Sequence, residues 1–303
     1  MTSERREAHS MVEPALGEAA QFVERTLDAL LPQPHGPEAR LLEAMRYATL
    51  GGGKRLRGFL VLQSGRLFGV DRRALAHVAA SVECVHAYSL VHDDLPAMDN
   101  DDLRRGKPTA HKAFDEATAI LAGDALLTLA FGLIASPDAH GDPFVRCELI
   151  QKLAQAAGYS GMVGGQMVDM ALENASPGLP EISRLQRMKT ASLFTFCCEA
   201  GAIMGKASQA TRGALSAYGQ ELGLAFQIAD DLLDVKGDAE QMGKSARKDR
   251  SRGKATIVTT LGVEPARARA RALASQAVRH LDLFDEKADL LRAVSEFVIA
   301  RRA

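Results

Sequence analysis

Apolar residues recur at three- and four-residue spacing through Ala15 to Leu31, Ala39 to Leu50, Ala74 to Leu95, Phe144 to Ala157, Glu181 to Met204, Arg212 to Val235 and Glu264 to Ala300. That is the period of one buried helix face, and it predicts a helix over each stretch. Turn-rich breaks separate several of them, most clearly LPQPHGP at Leu31 to Pro37, SPDAHGDP at Ser136 to Pro143 and ENASPGLP at Glu173 to Pro180. Strict alternation of apolar and polar residues is almost absent. The pattern therefore predicts an all-α protein.

One stretch departs from amphipathic spacing. Ala117 to Ala135, ATAILAGDALLTLAFGLIA, is apolar nearly throughout and long enough to span a bilayer. It contains Asp124 and two glycines, and an intramembrane acid is costly. The expectation is a helix buried at the centre of a helical protein, with no membrane insertion.

Composition extends the picture. At 303 residues and 47% hydrophobic the chain can bury a large core, and with no boundary signal residues 1–303 read as a single helical domain. Trp is absent, so Leu, Ala and Met must fill that core. A net charge of −1 argues against nucleic acid, because a domain binding polyanions through its overall field would be strongly basic. Cys84, Cys147, Cys197 and Cys198 show no CxxC spacing and no disulfide framework, which suggests a reducing compartment. The N-terminus, MTSERREAHSMVEPAL, carries charges but no apolar core segment. A cytoplasmic protein whose residues 1–12 are mobile is expected.

Two aspartate clusters of one design carry the chemistry. DDLPAMD holds Asp93, Asp94 and Asp99, DDLLD holds Asp230, Asp231 and Asp234, and each continues an apolar helical run. In DDLLD the spacings of three and four stack carboxylates on one helical face. In DDLPAMD, Pro96 should end the helix and let Asp99 fold back toward Asp93. Basic residues follow both clusters, in DNDDLRRGKPTAH and in KGDAEQMGKSARKDRSRGK. Carboxylates beside cations suit Mg²⁺, a hard ion commonly shared between a few carboxylates and substrate phosphates. A lone DDxxD is often just a solvated acidic helix end; two copies inside apolar helices make a magnesium-diphosphate site the better reading.

The strings GGGKRLRG, ECVHAYSLVHDDLPAMDNDDLRRGKPTAH, GGQMVD, MKTASLF and FQIADDLLDVKGD, in this order and spacing, resemble the trans-isoprenyl diphosphate synthases, in particular the bacterial short-chain group. The resemblance runs from about residue 38 to the C-terminus. It implies an isoprenoid-synthase-type helical bundle around a central cavity across which the two motifs face each other. It implies a prenyltransferase that joins isopentenyl diphosphate to an allylic diphosphate, dimethylallyl and then geranyl, giving farnesyl diphosphate. Mg²⁺ would be the cofactor, three ions with substrate bound and Mn²⁺ as a substitute, held by Asp93, Asp94, Asp99, Asp230, Asp231 and Asp234. By the same resemblance Lys54, Arg57, His86 and Arg105 hold isopentenyl diphosphate. Arg104, Lys189, Thr190, Gln227, Lys244 and Lys254 hold the allylic one. A homodimer is implied as well, and the helix from Ala117 to Ala135 is apolar enough to form its interface.

Two of these assignments have support from the residues themselves. His86 lies seven residues before Asp93, two turns along on one helical face. Lys54 and Arg57 follow three glycines, which allow the close backbone approach that phosphate needs. Residues 236–254 form a glycine-containing run with seven Lys or Arg against three acids, read as a lid that closes Lys244 and Lys254 onto the allylic diphosphate. The chain departs from the family's usual wording at Gly58, where RLRP is commoner, at Arg247 and at Ile257-Val258. None of these removes a charge assigned above.

Product length turns on the floor of the cavity. Tyr88 lies roughly 7.5 Å deeper along a helix than Asp93 and ~140° around it, whereas Ser89 is only ~40° off. Geometry alone nominates Ser89, which is too small to block a growing chain. An aromatic at Tyr88 together with the two extra residues inside DDLPAMD marks, by resemblance, fifteen-carbon synthases. The alternatives are a geranyl or geranylgeranyl diphosphate synthase, a single-substrate terpene cyclase and a non-catalytic synthase subunit. A cyclase needs no second cationic site, and a non-catalytic subunit would be expected to have eroded aspartates.

Overall fold

The computed structural model describes residues 3–173, 175, 177–240 and 256–300. Among them the chain is helical apart from turns and one hairpin of two-residue strands, the all-α architecture that the hydrophobic period predicts. It divides into two compact units, one of Ala15–Leu62 with Val70–Ile150, the other of Gln63–Gly69, the chain from Gln151 onward and the residues before Ala15.

The first unit is built on the part of α1 (Ser3–Leu30) from Ala15 onward, α2 (Ala39–Thr49), the start of α3 (Leu56–Arg66), α4 (Arg72–Asp93), the hairpin β1 (Leu103–Arg104) and β2 (Lys107–Pro108), α5 (Ala110–Ala113), α6 (Glu116–Ala135) and half of α7 (Pro143–Ala157). Helix α1 begins at Ser3, well before the Ala15 at which the apolar period starts. The central pair is α4 on α6. Helix α4 is buried over most of its circumference, and the small Ala119, Ala122, Gly123 and Ala130 of α6 let the two backbones approach. Close approach is visible at Gly123, where a Cβ would fall 2.0 Å from Nε2 of His92. Ser81 Oγ donates to Ala130 O at 2.7 Å, satisfying a hydroxyl inside this contact.

Helix α6 corrects the expectation of a centrally buried helix. It is buried along one face only, leaving Ile120 44% and Leu121 56% exposed. Helices α4 and α6 are both long and apolar enough to cross a membrane, but α4 has most of its apolar window inside the protein.

The second unit contains α8 (Met162–Ala171), α9 (Leu179–Gln186), α10 (Ser192–Met204), α11 (Gln209–Glu240), α12 (Ile257–Leu261), α13 (Val263–His280) and α14 (Asp289–Ala300). The single helix expected over Glu181 to Met204 is instead α9 and α10 joined by a π turn at Arg187–Ala191, where the Ser192 N–H reaches back five residues to Arg187 O. The helix expected from Glu264 to Ala300 is broken after His280. There Asp285 caps a short 3₁₀ turn, and Arg292 donates to the carbonyls of Leu281, Phe284 and Asp285, which closes the corner. Helices α3, α5, α8 and α12 are additional to the periodic stretches.

Helices α10 and α11 touch through glycine. A Cβ on Gly219 would lie 2.8 Å from Phe194 O, and one on Gly223 2.7 Å from Ala191 Cα. Ile257 and Val258, the departure noted in the sequence, fill an apolar cluster with Ile182, Ile228, Leu232, Ala266 and Ala270. Helix α11 carries the chain to Glu240, so the first five residues of the expected lid are helical, and the rest of it, with Lys244 and Lys254, lies outside the described residues.

Two glycines give opposite predictions. On α10, a Cβ at Gly201 would meet Gly65 N at 2.2 Å and Ser64 C at 2.3 Å, backbone atoms that cannot step aside, whereas Gly213 on the exposed side of α11 has nothing within 4 Å. Gly201→Ala should lower stability by about 1–3 kcal/mol or more. Gly213→Ala should raise it by roughly 0.5–1 kcal/mol. Urea unfolding of the two variants checks the pair.

Candidate active site

The first acidic cluster sits where α4 stops. The helix ends at Asp93, three residues before Pro96, and the chain turns back so that the Asp99 N–H donates to Asp93 O at 2.7 Å and the Asp101 N–H to Asp94 O at 3.2 Å. Asn100 takes the turn with φ 48°. This is the fold-back that the proline predicts. The hairpin then returns Arg104 to the cluster, where Nε lies 2.9 Å from both oxygens of Asp94 and Nη2 donates to Oδ1 at 2.6 Å. Asp94 is buried, and burial pushes its carboxyl up while Arg104 opposes the rise. Asp93 and Asp99 stay half-exposed.

Around this end of the unit the cations gather. Gly52 (φ 80°) and Gly53 (φ 121°) bend the loop before α3, and Arg105 Nη1 donates to Gly52 O at 2.5 Å. A Cβ on Gly53 would strike the Arg105 guanidinium, and the φ of 121° strains any other residue there. Burial, and then Arg57, Arg105, Arg104 and Arg55 in turn, holds the His86 imidazole well below its usual range. His86 is therefore neutral at pH 7 and offers one N–H beside several guanidiniums. Lys54 is exposed and Arg57 half-buried. A pocket opens within the same unit, walled by Tyr47, Ala87, Leu90 and Val91 and by Arg104, Arg105 and Lys107.

The second cluster lies on α11 in the other unit. Asp230 is half-buried, Asp231 buried and Asp234 exposed. Each oxygen of Asp231 accepts an amide N–H, Oδ1 from Gln227 at 2.9 Å and Oδ2 from Gln186 at 3.2 Å. Gln227 in turn accepts from Thr190 Oγ1 at 2.6 Å. Burial, opposed by Gln227 and reinforced by Asp234, Asp230 and Asp169, pushes the Asp231 carboxyl up to about 7. Lys189, in the π turn, is paired to Asp169 of α8 at 2.5 Å. Gly165 makes this possible, since a Cβ there would meet Lys189 N at 2.3 Å.

The six aspartates thus divide. The second of each motif is buried and committed to fixed donors, while the first and last reach the surface. All are oxygen donors suited to Mg²⁺. Among the described residues no three acidic, His or Cys groups converge on one point, and Mg²⁺ does not ask for that, since one or two carboxylates with substrate oxygens and water complete its octahedron. Within the first unit the structure brings together Arg57, His86, Arg104 and Arg105; within the second, Lys189, Thr190, Gln227 and Asp231. Asp169, Gln186, Arg55 and Glu83 were missed by sequence reasoning. Asp169 stood inside GGQMVD, but nothing in that string says which cation it meets.

Tyr88 is 5% exposed, its ring set edge-on to His92 at 5.7 Å, and its hydroxyl is buried without a hydrogen-bond partner. Burial first, then Asp93, pushes the phenol up to about 12, so it stays neutral. Ser89 is half-buried and spends its hydroxyl on His86 O at 2.9 Å.

The raised Asp231 carboxyl has a signed consequence for the metal-free protein. Its pKa in the fold lies above the value of roughly 4 in an unfolded chain, so the native state holds a proton that the unfolded chain has lost. That contribution to stability is present at low pH and is lost as pH rises from roughly 4 through about 7. Asp231→Asn should flatten the dependence of unfolding free energy on pH between pH 5.5 and pH 8, measured by urea unfolding in chelator. Equal slopes for the two proteins would contradict this reading of the carboxyl.

Residues 38–296 match the polyprenyl synthetase family model. The chain is 44% identical to a farnesyl diphosphate synthase of Geobacillus stearothermophilus over 97% of its own length and 99% of the relative's. It is 43% identical to one from Escherichia coli strain K12 over 96% and 97%. A solved apo structure described as an FPP/GFPP synthase from Zymomonas mobilis superposes with a TM-score of 0.87 at 49% identity, covering 98% of this chain and all of that one. With a family model matched over most of its length, relatives of this identity and the all-α isoprenoid synthase fold, the chain belongs to the polyprenyl synthetase family.

Proposed function

We propose that this trans-prenyltransferase condenses isopentenyl diphosphate with dimethylallyl and then geranyl diphosphate, giving farnesyl diphosphate and diphosphate, and that residues 1–303 act as one catalytic domain. The observation that carries the reading is that each unit sets an acidic cluster among groups suited to phosphate, several guanidiniums in the first and Lys189 with Thr190 and Gln227 in the second. Asp94 is bonded to Arg104, which also feels the charge of Asp93, and Arg57, Arg104 and Arg105 gather around His86. Asp230 and Asp231 lie with Gln227, Thr190, Lys189 and Asp169. Two cationic sites fit two diphosphate substrates, and a single-substrate cyclase would need only one.

Asp93, Asp99, Asp230 and Asp234 present the outward oxygens for Mg²⁺, with Asp94 and Asp231 anchoring their motifs and keeping lone pairs in reserve. When bound, Mg²⁺ neutralises the allylic diphosphate and makes it a better leaving group. Lys189, Thr190 and Gln227 hold that diphosphate, joined by Lys244 and Lys254 from the segment outside the described residues. Lys54, Arg57, His86 and Arg105 hold isopentenyl diphosphate so that its double bond is aligned with the allylic carbon. Such alignment contributes as much as ~7–11 kcal/mol. The C–O bond breaks, the double bond attacks the allylic cation, and the proton lost afterwards passes to the departing diphosphate. Apolar walls must exclude water, or the cation ends as an alcohol.

Homodimerisation through α6 fits its exposed Ile120 and Leu121. Four free cysteines fit the cytoplasm. The fifteen-carbon product rests on Tyr88, a bulky neutral side chain buried one and a half turns below Asp93.

Three measurements follow from this reading. Asp93→Ala and Asp230→Ala should each lower turnover by about 100-fold or more while the protein stays folded; near-native turnover in either would contradict the two-cluster metal site. Lys189→Ala should weaken allylic binding or turnover by roughly 10- to 150-fold, the scale of one charge-assisted hydrogen bond, and leave isopentenyl diphosphate binding nearly unchanged. Tyr88→Ala should extend the main product to twenty carbons or more, read by chromatography of the dephosphorylated alcohols. An unchanged product from a folded Tyr88→Ala protein would show that other residues end elongation.

A further inference from the structure

A diphosphate site built from Lys54 and Arg57 has a mechanical problem. Lys54 lies in the loop that follows three glycines and Arg57 in the first turn of α3, each carrying its charge on a long side chain. The span between them depends on what fixes the loop and the start of α3.

The residue between them turns the other way. Arg55 is 7% exposed and holds φ 47°, a left-handed conformation that a non-glycine residue keeps only where its surroundings impose it. Its guanidinium is almost fully used. Nε donates to Glu24 Oε2 at 3.0 Å, Nη2 to the same oxygen at 2.5 Å and to Thr49 O at 2.5 Å, and Nη1 to Glu83 Oε2 at 3.1 Å. Burial would lower the Arg55 pKa, but the two carboxylates outweigh it and the guanidinium stays charged.

The second oxygen of Glu83 does a different task. Oε1 accepts the Gly58 N–H at 2.9 Å. Gly58 is the third residue of α3, and the first amides of a helix have no partner within it. A residue in the capping position normally supplies an acceptor from its own side chain. Here that position is Arg55, which has none. Glu83, from α4, caps α3 from outside, and its negative charge suits the helix N-terminus.

We propose that Glu83 is the positioning residue of the isopentenyl diphosphate site, clamping the side chain of residue 55 and the backbone of residue 58 with one carboxylate so that Lys54 and Arg57 are held at fixed spacing from His86. His86 is one turn further along α4 from Glu83, so one helix face carries both the clamp and the third phosphate-facing group. Gly58 is part of the device. Where the family more often has proline, which has no N–H, this chain keeps a donor. The position is also tight, since a Cβ there would lie 3.1 Å from Val23 Cγ2 and 3.4 Å from Glu83 Oε1.

The inference rests on the assignment of Lys54, Arg57 and His86 to isopentenyl diphosphate, and the test separates the two. Full-length Glu83→Gln, Glu83→Asp and Lys54→Ala are assayed with Mg²⁺, each substrate varied in turn, well below their melting temperatures. Glu83→Gln keeps an acceptor for Gly58 but loses the charge that Arg55 needs. Its KM for isopentenyl diphosphate should rise about 10-fold or more, with the allylic KM within about 2-fold, a loss of about 1.4 kcal/mol confined to one substrate. Glu83→Asp keeps the charge but reaches one partner only, and should fall between. A residue that merely supports the fold would lower the melting temperature without dividing the two KM values. Should the Glu83 variants fail to fold, Arg55→Lys, which removes the fork and keeps the charge, carries the same expected split. If Lys54→Ala raises the isopentenyl diphosphate KM and the folded clamp variants do not, the positioning role is overturned while the site assignment stands. If Lys54→Ala leaves that KM unchanged, the assignment fails and the proposal falls with it.

Discussion

Neighbouring carboxylates repel one another, and a fold that gathers them must hold them together. In each cluster of this chain that constraint is met by burying the middle carboxylate against fixed donors. Asp94 is gripped by Arg104 through three N–H contacts, and Asp231 by the amides of Gln186 and Gln227. The two solutions differ electrostatically. An arginine opposes the rise that burial imposes on the Asp94 carboxyl, whereas neutral amides leave the Asp231 carboxyl raised to about 7. Both leave the first and last aspartates of the motif half-buried or exposed, Asp93 and Asp99 at and just beyond the end of α4 and Asp230 and Asp234 along α11.

The same economy governs the packing beneath. Glycine and alanine let helices approach until functional side chains meet their partners. Gly123 makes room for His92, next to Asp93, and Gly165 for the backbone of Lys189, which then reaches Asp169. Gly223 brings α11 onto Ala191 at the end of the π turn, close to where Thr190 meets Gln227. A π turn is an uncommon, poorly bonded piece of helix that recurs at functional positions. Here it falls on the Lys189-Thr190 pair.

Much of this was legible in the sequence. The all-α class follows from the apolar period, and the proline in DDLPAMD foretold both the end of α4 and the return of Asp99 to Asp93. What escaped was whatever depends on a partner distant in sequence. Arg55 looks like one more cation of the GGGKRLRG loop, and only Glu24, Glu83 and Thr49 reveal that it points inward. Lys189 reads as a free phosphate ligand until Asp169 is placed beside it. Helix α6 was read as buried because it is apolar, but hydropathy along one strand of sequence cannot say how many neighbours a helix has. The break after His280 is hidden for a similar reason, since the apolar period continues across DLFD while Arg292 closes the corner from seven to eleven residues further on.

The central claim is that two diphosphates meet on this protein and that metal-assisted departure of one is coupled to attack by the other. The most direct measurement is diphosphate release from geranyl diphosphate by the purified protein, with and without Mg²⁺ and with and without isopentenyl diphosphate, the organic product being identified in each case. Release is expected only when both Mg²⁺ and isopentenyl diphosphate are present, with farnesyl diphosphate formed in equal amount. Release from geranyl diphosphate alone, yielding a hydrocarbon or an alcohol, would contradict it.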